Sequence, residues 1–126
     1  MTEQKLKILV VDDEEAIGRV LKTGLEMHGF TVRYEARSAD TIQACLEFHP
    51  DLVLLDVAMP GKDGGLVASE LRSHPALRHT PVIFLSSLVS KEEAEQNTSG
   101  DILLSKPIPI AELVARIQAR LQKKDT

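Results

Sequence analysis

A chain of 126 residues with 43% hydrophobic and 27% charged positions is long enough for one cored domain and too apolar for disorder. Its net charge of −4 gives no electrostatic reason to expect nucleic acid or an anionic membrane as the main partner. The N-terminus lacks the apolar core of a signal peptide, and no run approaches the length of a membrane span. A single cysteine, Cys45, cannot form an internal disulfide, so a reducing, cytoplasmic setting is expected and Cys45 is read as a buried packing residue. His28, His49, His74 and His79 show no metal-ligand spacing and are read as surface or helix-end residues.

In chain order, Leu6 to Val11 is an apolar, β-branched run that ends at Asp12-Asp13, and it predicts a first strand. From Glu14 to His28, Ile17, Val20, Leu21 and Leu25 recur at helical spacing before Gly29, which predicts a helix with one buried stripe. Thr31 to Ala36 predicts a second strand. Ser38 then suits the cap of a helix carrying Ile42, Cys45 and Leu46 as far as His49-Pro50.

Asp51 to Asp56 is a short apolar run bounded by turn residues, the pattern of a strand buried on both faces, and it delivers Asp56 to its exit. Pro60, Gly61, Asp63 and Gly64 predict a loop, followed by a short helix with Leu66, Val67 and Leu71. Pro81 to Leu85 predicts a fourth strand running into Ser86-Ser87. Ser90-Lys91-Glu92-Glu93 is a capping box at the start of a helix that offers only Ala94 as an apolar contact, so this helix is expected to be short and weakly held. Ile102 to Leu104 predicts a fifth strand ending at Ser105-Lys106-Pro107. A last helix carries the stripe Ile110, Leu113, Val114, Ile117 and Leu121, with Pro109 in its first turn.

Five alternations of strand and helix, without repeat or linker, predict an α/β fold with a parallel sheet covered by helices on both faces. Ligands then bind beyond the carboxyl ends of the strands, where Asp12, Asp13, Asp56, Ser86 and Lys106 fall. Each residue alone has an ordinary reading: a helix-capping acid pair, a turn aspartate, a capping serine, a solvated loop lysine. Together they form one charge set on one rim. Three crowded carboxylates call for a hard divalent cation, and Mg²⁺ uses one or two carboxylates while leaving positions for phosphate oxygens. Lys106 adds a fixed positive charge and the Ser86 hydroxyl a donor, a set suited to a phosphoryl group at Asp56.

The succession Asp12-Asp13, Asp56 with Met59-Pro60-Gly61 and Asp63-Gly64, Ser86-Ser87 and Lys106-Pro107 resembles the receiver domain of two-component response regulators over nearly the whole chain. The resemblance implies the flavodoxin-like, doubly wound order 2-1-3-4-5 in a five-stranded parallel sheet flanked by five helices. It implies one receiver domain over residues 1–126, with a core at 5–122 and no effector domain in this chain. Asp56 would be the phosphoacceptor, served by a sensor histidine kinase or a histidine phosphotransfer protein. Asp13 would bind Mg²⁺ directly, Asp12 largely through water, and Ala58 through its backbone carbonyl. Lys106 would pair with a phosphoryl oxygen, its bond to Pro107 being cis, and Ser86 would turn inward and reshape the face formed by the fourth helix, fifth strand and fifth helix. The kinase would dock near the first helix and the loop around Ile108. An effector protein or domain is implied but not identified, and direct nucleic acid or membrane binding is not.

Two features depart from the family's habit. Leu103 stands where an aromatic switch residue is usual, and the stretch from Ser86 to Lys106 is about two residues short, so the output face is expected to be mobile. Ala58 can neither polarise nor orient water, so no side-chain help to dephosphorylation is expected from it. A phosphorylation-independent interaction module therefore stays open beside the phosphoacceptor. An aspartyl-phosphate phosphatase would want an acid at Ala58, and a nucleotide carrier a glycine-rich loop where Asp12-Asp13 stands. Homodimerisation through the output face is common in the family, and oligomeric state is left open here. The chain's end suits either a stand-alone regulator or a receiver from a longer protein.

Overall fold

The computed structural model describes residues 5–57, 64–95 and 102–123. Five strands, β1 (Lys7–Val11), β2 (Thr31–Glu35), β3 (Leu52–Asp56), β4 (Val82–Ser86) and β5 (Ile102–Ser105), form one parallel sheet in the order β2-β1-β3-β4-β5. Helices α1 (Glu15–Met27), α2 (Thr41–Phe48), α3 (Gly64–Ser73), α4 (Lys91–Glu95) and α5 (Ile110–Lys123) connect or follow them.

Strand alternation divides the continuous apolar runs between two cores. Ile8, Val10, Leu52, Leu54, Ile83 and Leu85 face Leu21 and Leu25 of α1 and Leu113 and Ile117 of α5. Leu9, Val11, Val53, Leu55 and Val82 face Ala44 and Cys45 of α2 and Val67 and Leu71 of α3. Each Val, Leu or Ile among them contributes about 1.5–3 kcal/mol by leaving water. Because β1 and β3 are central and covered on both faces, the carboxylates that follow them are held on a rigid base.

Several helix boundaries differ from those expected. Val20 is 65% exposed and does not join the stripe of α1. It lies one 100° step outside Leu21, and buried Gly18 completes the inner face instead. Ser38 does not open α2: Ser38–Asp40 forms a 3-10 turn, Ser38 is itself buried, and the α-helix begins at Thr41. Helix α3 begins at Gly64, which the sequence placed in a loop. Pro109 precedes α5, and its carbonyl accepts the first helical bond, from Leu113 N, at 3.0 Å.

Other expectations hold. Gly29 takes the left-handed conformation after α1 (φ 94°), and His49 takes it after α2 (φ 55°) before Pro50 stops the chain from turning further. The capping box is made in both directions: Glu93 N donates to Ser90 Oγ at 3.1 Å, and Ser90 N donates to Glu93 Oε1 at 2.9 Å. Helix α4 is one short turn anchored through buried Ala94. Cys45 is buried, and burial pushes its thiol up to about 11, which leaves it an inert packing group.

Gly64 matters for the site. A Cβ there would lie 2.8 Å from the Asp56 carbonyl oxygen and 2.9 Å from Val57 Cα, while the Gly64 amide donates to Val57 O at 2.8 Å. The start of α3 thus abuts the exit of β3, and the atoms it would strike are backbone. We expect Gly64→Ala to destabilise the protein by about 2 kcal/mol despite alanine's better helix propensity, because overpacking outweighs the gain. Urea unfolding checks this, and a stabilised variant would show that the contact is slack.

Candidate phosphoacceptor site

Asp12, Asp13 and Asp56 come together beyond the ends of β1 and β3, with one carboxylate oxygen from each lying within 4.8 Å of the others. Asp12 and Asp56 are buried, and Asp13 is exposed. From the loop after β5, Lys106 reaches the same place. Its Nζ lies 2.8 Å from Asp12 Oδ2 and 3.4 Å from Asp56 Oδ1, with Glu14 Oε1 farther off at 3.9 Å. The Lys106–Pro107 peptide bond is cis.

The electrostatics follow from this packing. Burial and then the charge of Asp12 raise the Asp56 carboxyl, Lys106 opposes both, and the net result is about 6. Burial pulls the Lys106 ammonium down, but Asp12 and Asp56 outweigh it, so its pKa lies above the ordinary lysine value. Lys106 is therefore a permanent cation and Asp56 a carboxylate whose negative charge is only partly compensated.

Asp12 is fixed on every side. Its Oδ1 accepts from Glu14 N at 2.9 Å, its amide donates to Glu35 O at 3.2 Å, and its carbonyl accepts the Tyr34 hydroxyl at 2.6 Å. The donor set fits a hard divalent ion, since among the described residues three carboxylates converge on one point and the Lys106 ammonium leaves them in excess. Ala58, expected to add its carbonyl, lies outside the described residues, as do Met59, Pro60, Gly61 and Asp63.

Ser86 ends β4 beside this cluster and is buried. Its Oγ accepts the Leu88 amide at 3.0 Å, while its carbonyl accepts the Lys106 amide at 2.8 Å. Ser105 Oγ donates to Val89 O at 2.7 Å, pinning the loop after β4 to β5. Leu103 is half-buried and in register with Phe84 on the neighbouring strand β4.

A groove of 550 Å³ runs beside the site, floored by Ile17, Leu21 and Leu85 and bordered by Val20, Pro107 and Ile108. It gives the exposed Val20 a context that helical periodicity alone did not supply. Tyr34 was not singled out in the sequence, and Gly64 was read there only as a loop glycine within the Asp63-Gly64 motif. The available signals were a lone tyrosine at the end of β2 and a glycine opening a helix directly after the acceptor loop.

Among the described residues no helix is long and apolar enough to cross a membrane. The family model of the response regulator receiver domain matches residues 8–118. The transcriptional regulatory protein GltR of Pseudomonas aeruginosa is 38% identical over 98% of this chain and 52% of its own length. Transcriptional regulatory protein PrrA of Mycobacterium tuberculosis is 35% identical over 94% of this chain and 51% of its own. The chain thus spans about half the length of these relatives. Among solved structures, the receiver domain of the Francisella response regulator 1452 has a TM-score of 0.81 at 29% identity, covering 95% of this chain and 99% of that one. The BeF3-activated N-terminal receiver domain of Klebsiella pneumoniae RstA has a TM-score of 0.78 at 32% identity, covering 91% and 97%. With its strand order, its acidic rim and these matches in agreement, the chain belongs to the response regulator receiver domains of two-component signalling.

Proposed function

We propose that this receiver is an active phosphoacceptor, in which Asp56 takes a phosphoryl group from a phosphohistidine on a sensor histidine kinase or a phosphotransfer protein. One observation carries the reading: Asp56 is buried at the exit of β3 beside Asp12 and Lys106, with its charge only partly compensated. A carboxylate oxygen of Asp56 attacks phosphorus, the histidine N–P bond breaks, and an acyl phosphate forms. Lys106 pairs with an oxygen of the transferred group, and Ser86 turns its hydroxyl from the Leu88 amide to another. Asp13, Asp12 and Asp56 would hold Mg²⁺, with the Ala58 carbonyl as a further ligand; when bound, the ion offsets the charge of the phosphoryl oxygens.

The groove between α1 and the loop at Ile108 offers an apolar landing for the donor beside the acceptor. Rearrangement at Ser86 would pass to the α4–β5–α5 face, with Leu103 supplying bulk and no ring. The relatives are named as transcriptional regulators about twice this length, so control of transcription is the output we assign to an effector joined to or bound by this domain.

Intact-mass spectrometry after incubation with acetyl phosphate and Mg²⁺ tests the reading. We expect one added phosphoryl mass that is absent in Asp56→Asn and in the metal-free sample. No adduct in the wild-type protein, with no response to beryllofluoride, would replace the phosphoacceptor by a phosphorylation-independent interaction module.

A further inference from the structure

Tyr34 has a role that neither the charge set nor the hydrophobic pattern requires. It lies on the edge strand β2, in register with Val10. Its ring covers Gly18 of α1, where a Cβ would overlap the ring, and its hydroxyl donates to the Asp12 carbonyl. That carbonyl belongs to the peptide joining Asp12 to Asp13, so its direction sets where the next Cα and the exposed Asp13 carboxylate project.

We propose that Tyr34 is a positioning residue for the acidic pair: held over Gly18, its hydroxyl fixes the Asp12–Asp13 peptide and so presents both carboxylates to a divalent cation. The inference rests on the reading that this cluster takes Mg²⁺. A packing role alone would need the ring and not the oxygen, and phenylalanine would serve as well. The oxygen instead makes a 2.6 Å bond to a carbonyl inside the site, and the neighbouring peptide group is already held by the Asp12 amide bond to Glu35 O. The two bonds clamp the chain on both sides of the Asp12 Cα.

The experiment is Mg²⁺ titration by calorimetry on the wild type, Tyr34→Phe and Ile117→Val, the last a core truncation remote from the site. Removing the oxygen should weaken Mg²⁺ binding about tenfold, as losing an outer-sphere support does, while Ile117→Val binds as the wild type does. Gly18→Ala, which displaces the ring, should weaken Mg²⁺ in the same direction. Because the chain has one tyrosine and no tryptophan, wild-type tyrosine emission should also shift as Mg²⁺ is added. Wild-type binding with Tyr34→Phe within twofold of it would overturn the positioning role alone. A wild type that does not bind Mg²⁺ would overturn the cation reading beneath it.

Discussion

Lys106→Met should cost about 3–5 kcal/mol of stability at pH 7 and about 100-fold or more of phosphorylation rate, yet leave Mg²⁺ bound more tightly. The three effects share one cause. The ammonium is almost wholly buried, 2.8 Å from Asp12 and 3.4 Å from Asp56, and it is the cation that allows those two acids to sit together without metal. Methionine keeps the unbranched stem and removes only the charge, leaving two buried carboxylates to repel. The Asp56 carboxyl, already raised by burial and by the charge of Asp12, must then rise further above its unfolded value. The folded state therefore binds more protons than the unfolded one as pH falls from 7, and stability recovers on acidification. An added divalent ion meets no competing ammonium, so its affinity rises. The transferred phosphoryl group, however, loses a partner that metal does not replace. Urea unfolding at pH 7 and pH 5, Mg²⁺ calorimetry and acetyl phosphate labelling check the three parts. A loss of stability equal at both pH values would identify lost packing as the cause and contradict the electrostatic account.

The rim was legible in the sequence because a parallel sheet brings all its strand exits to one side. Once Leu6 to Val11, Leu52 to Leu55, Pro81 to Leu85 and Ile102 to Leu104 are read as strands, the polar residues that follow must be neighbours, however far apart in the chain. Lys106 and Asp12 meet across 94 positions for this reason alone. What stayed hidden depends on approach rather than order. Gly18 reads as an indifferent helix residue until the Tyr34 ring is found where its side chain would be. Gly64 reads as loop glycine until the Asp56 carbonyl is found against it. Val20 fits the apolar periodicity of α1 and yet faces outward, because periodicity reports a stripe's spacing and not its width or which edge is covered. Ser38 has the chemistry of a cap, but the chain spends one tight turn before the α-helix forms, a local choice that composition does not record. The same limit applies to the readout: Leu103 is visible as a departure, whereas the bond from Ser105 to Val89 that holds the loop after β4 is a product of β5 meeting that loop in space.

Asp56→Asn should stabilise the metal-free protein by about 1–3 kcal/mol at pH 7, although it removes the group on which phosphorylation depends. The sign follows from the direction of the shift. Burial and the nearby Asp12 raise the Asp56 carboxyl from 3.8 to about 6, so between those values the folded state holds a proton that the unfolded state has released. Stability contributed by this group consequently falls as pH rises from 3.8 to about 6, and the penalty is complete above that range. Asparagine has the same shape without the charge and avoids the penalty. The gain stays below its ceiling of about 3 kcal/mol because Lys106 loses one of its two close partners. It should shrink as pH is lowered and vanish near pH 4. Saturating Mg²⁺ should narrow it at pH 7 as well, since a ligand that binds only the folded state stabilises in proportion to its affinity, and three carboxylates bind the ion better than two. Urea unfolding across pH 4 to 8, with and without Mg²⁺, measures all of this. A variant less stable than the wild type at pH 7 without metal would mean that the Lys106 contact outweighs the strain of burying Asp56. In that case the acceptor would be held by its ion pair, and phosphorylation would have to work against that pair. If the gain appears with the stated pH dependence, the acceptor is held in a state of excess negative charge, and cation binding and charge-neutralising contacts to an incoming phosphoryl group relieve the same strain.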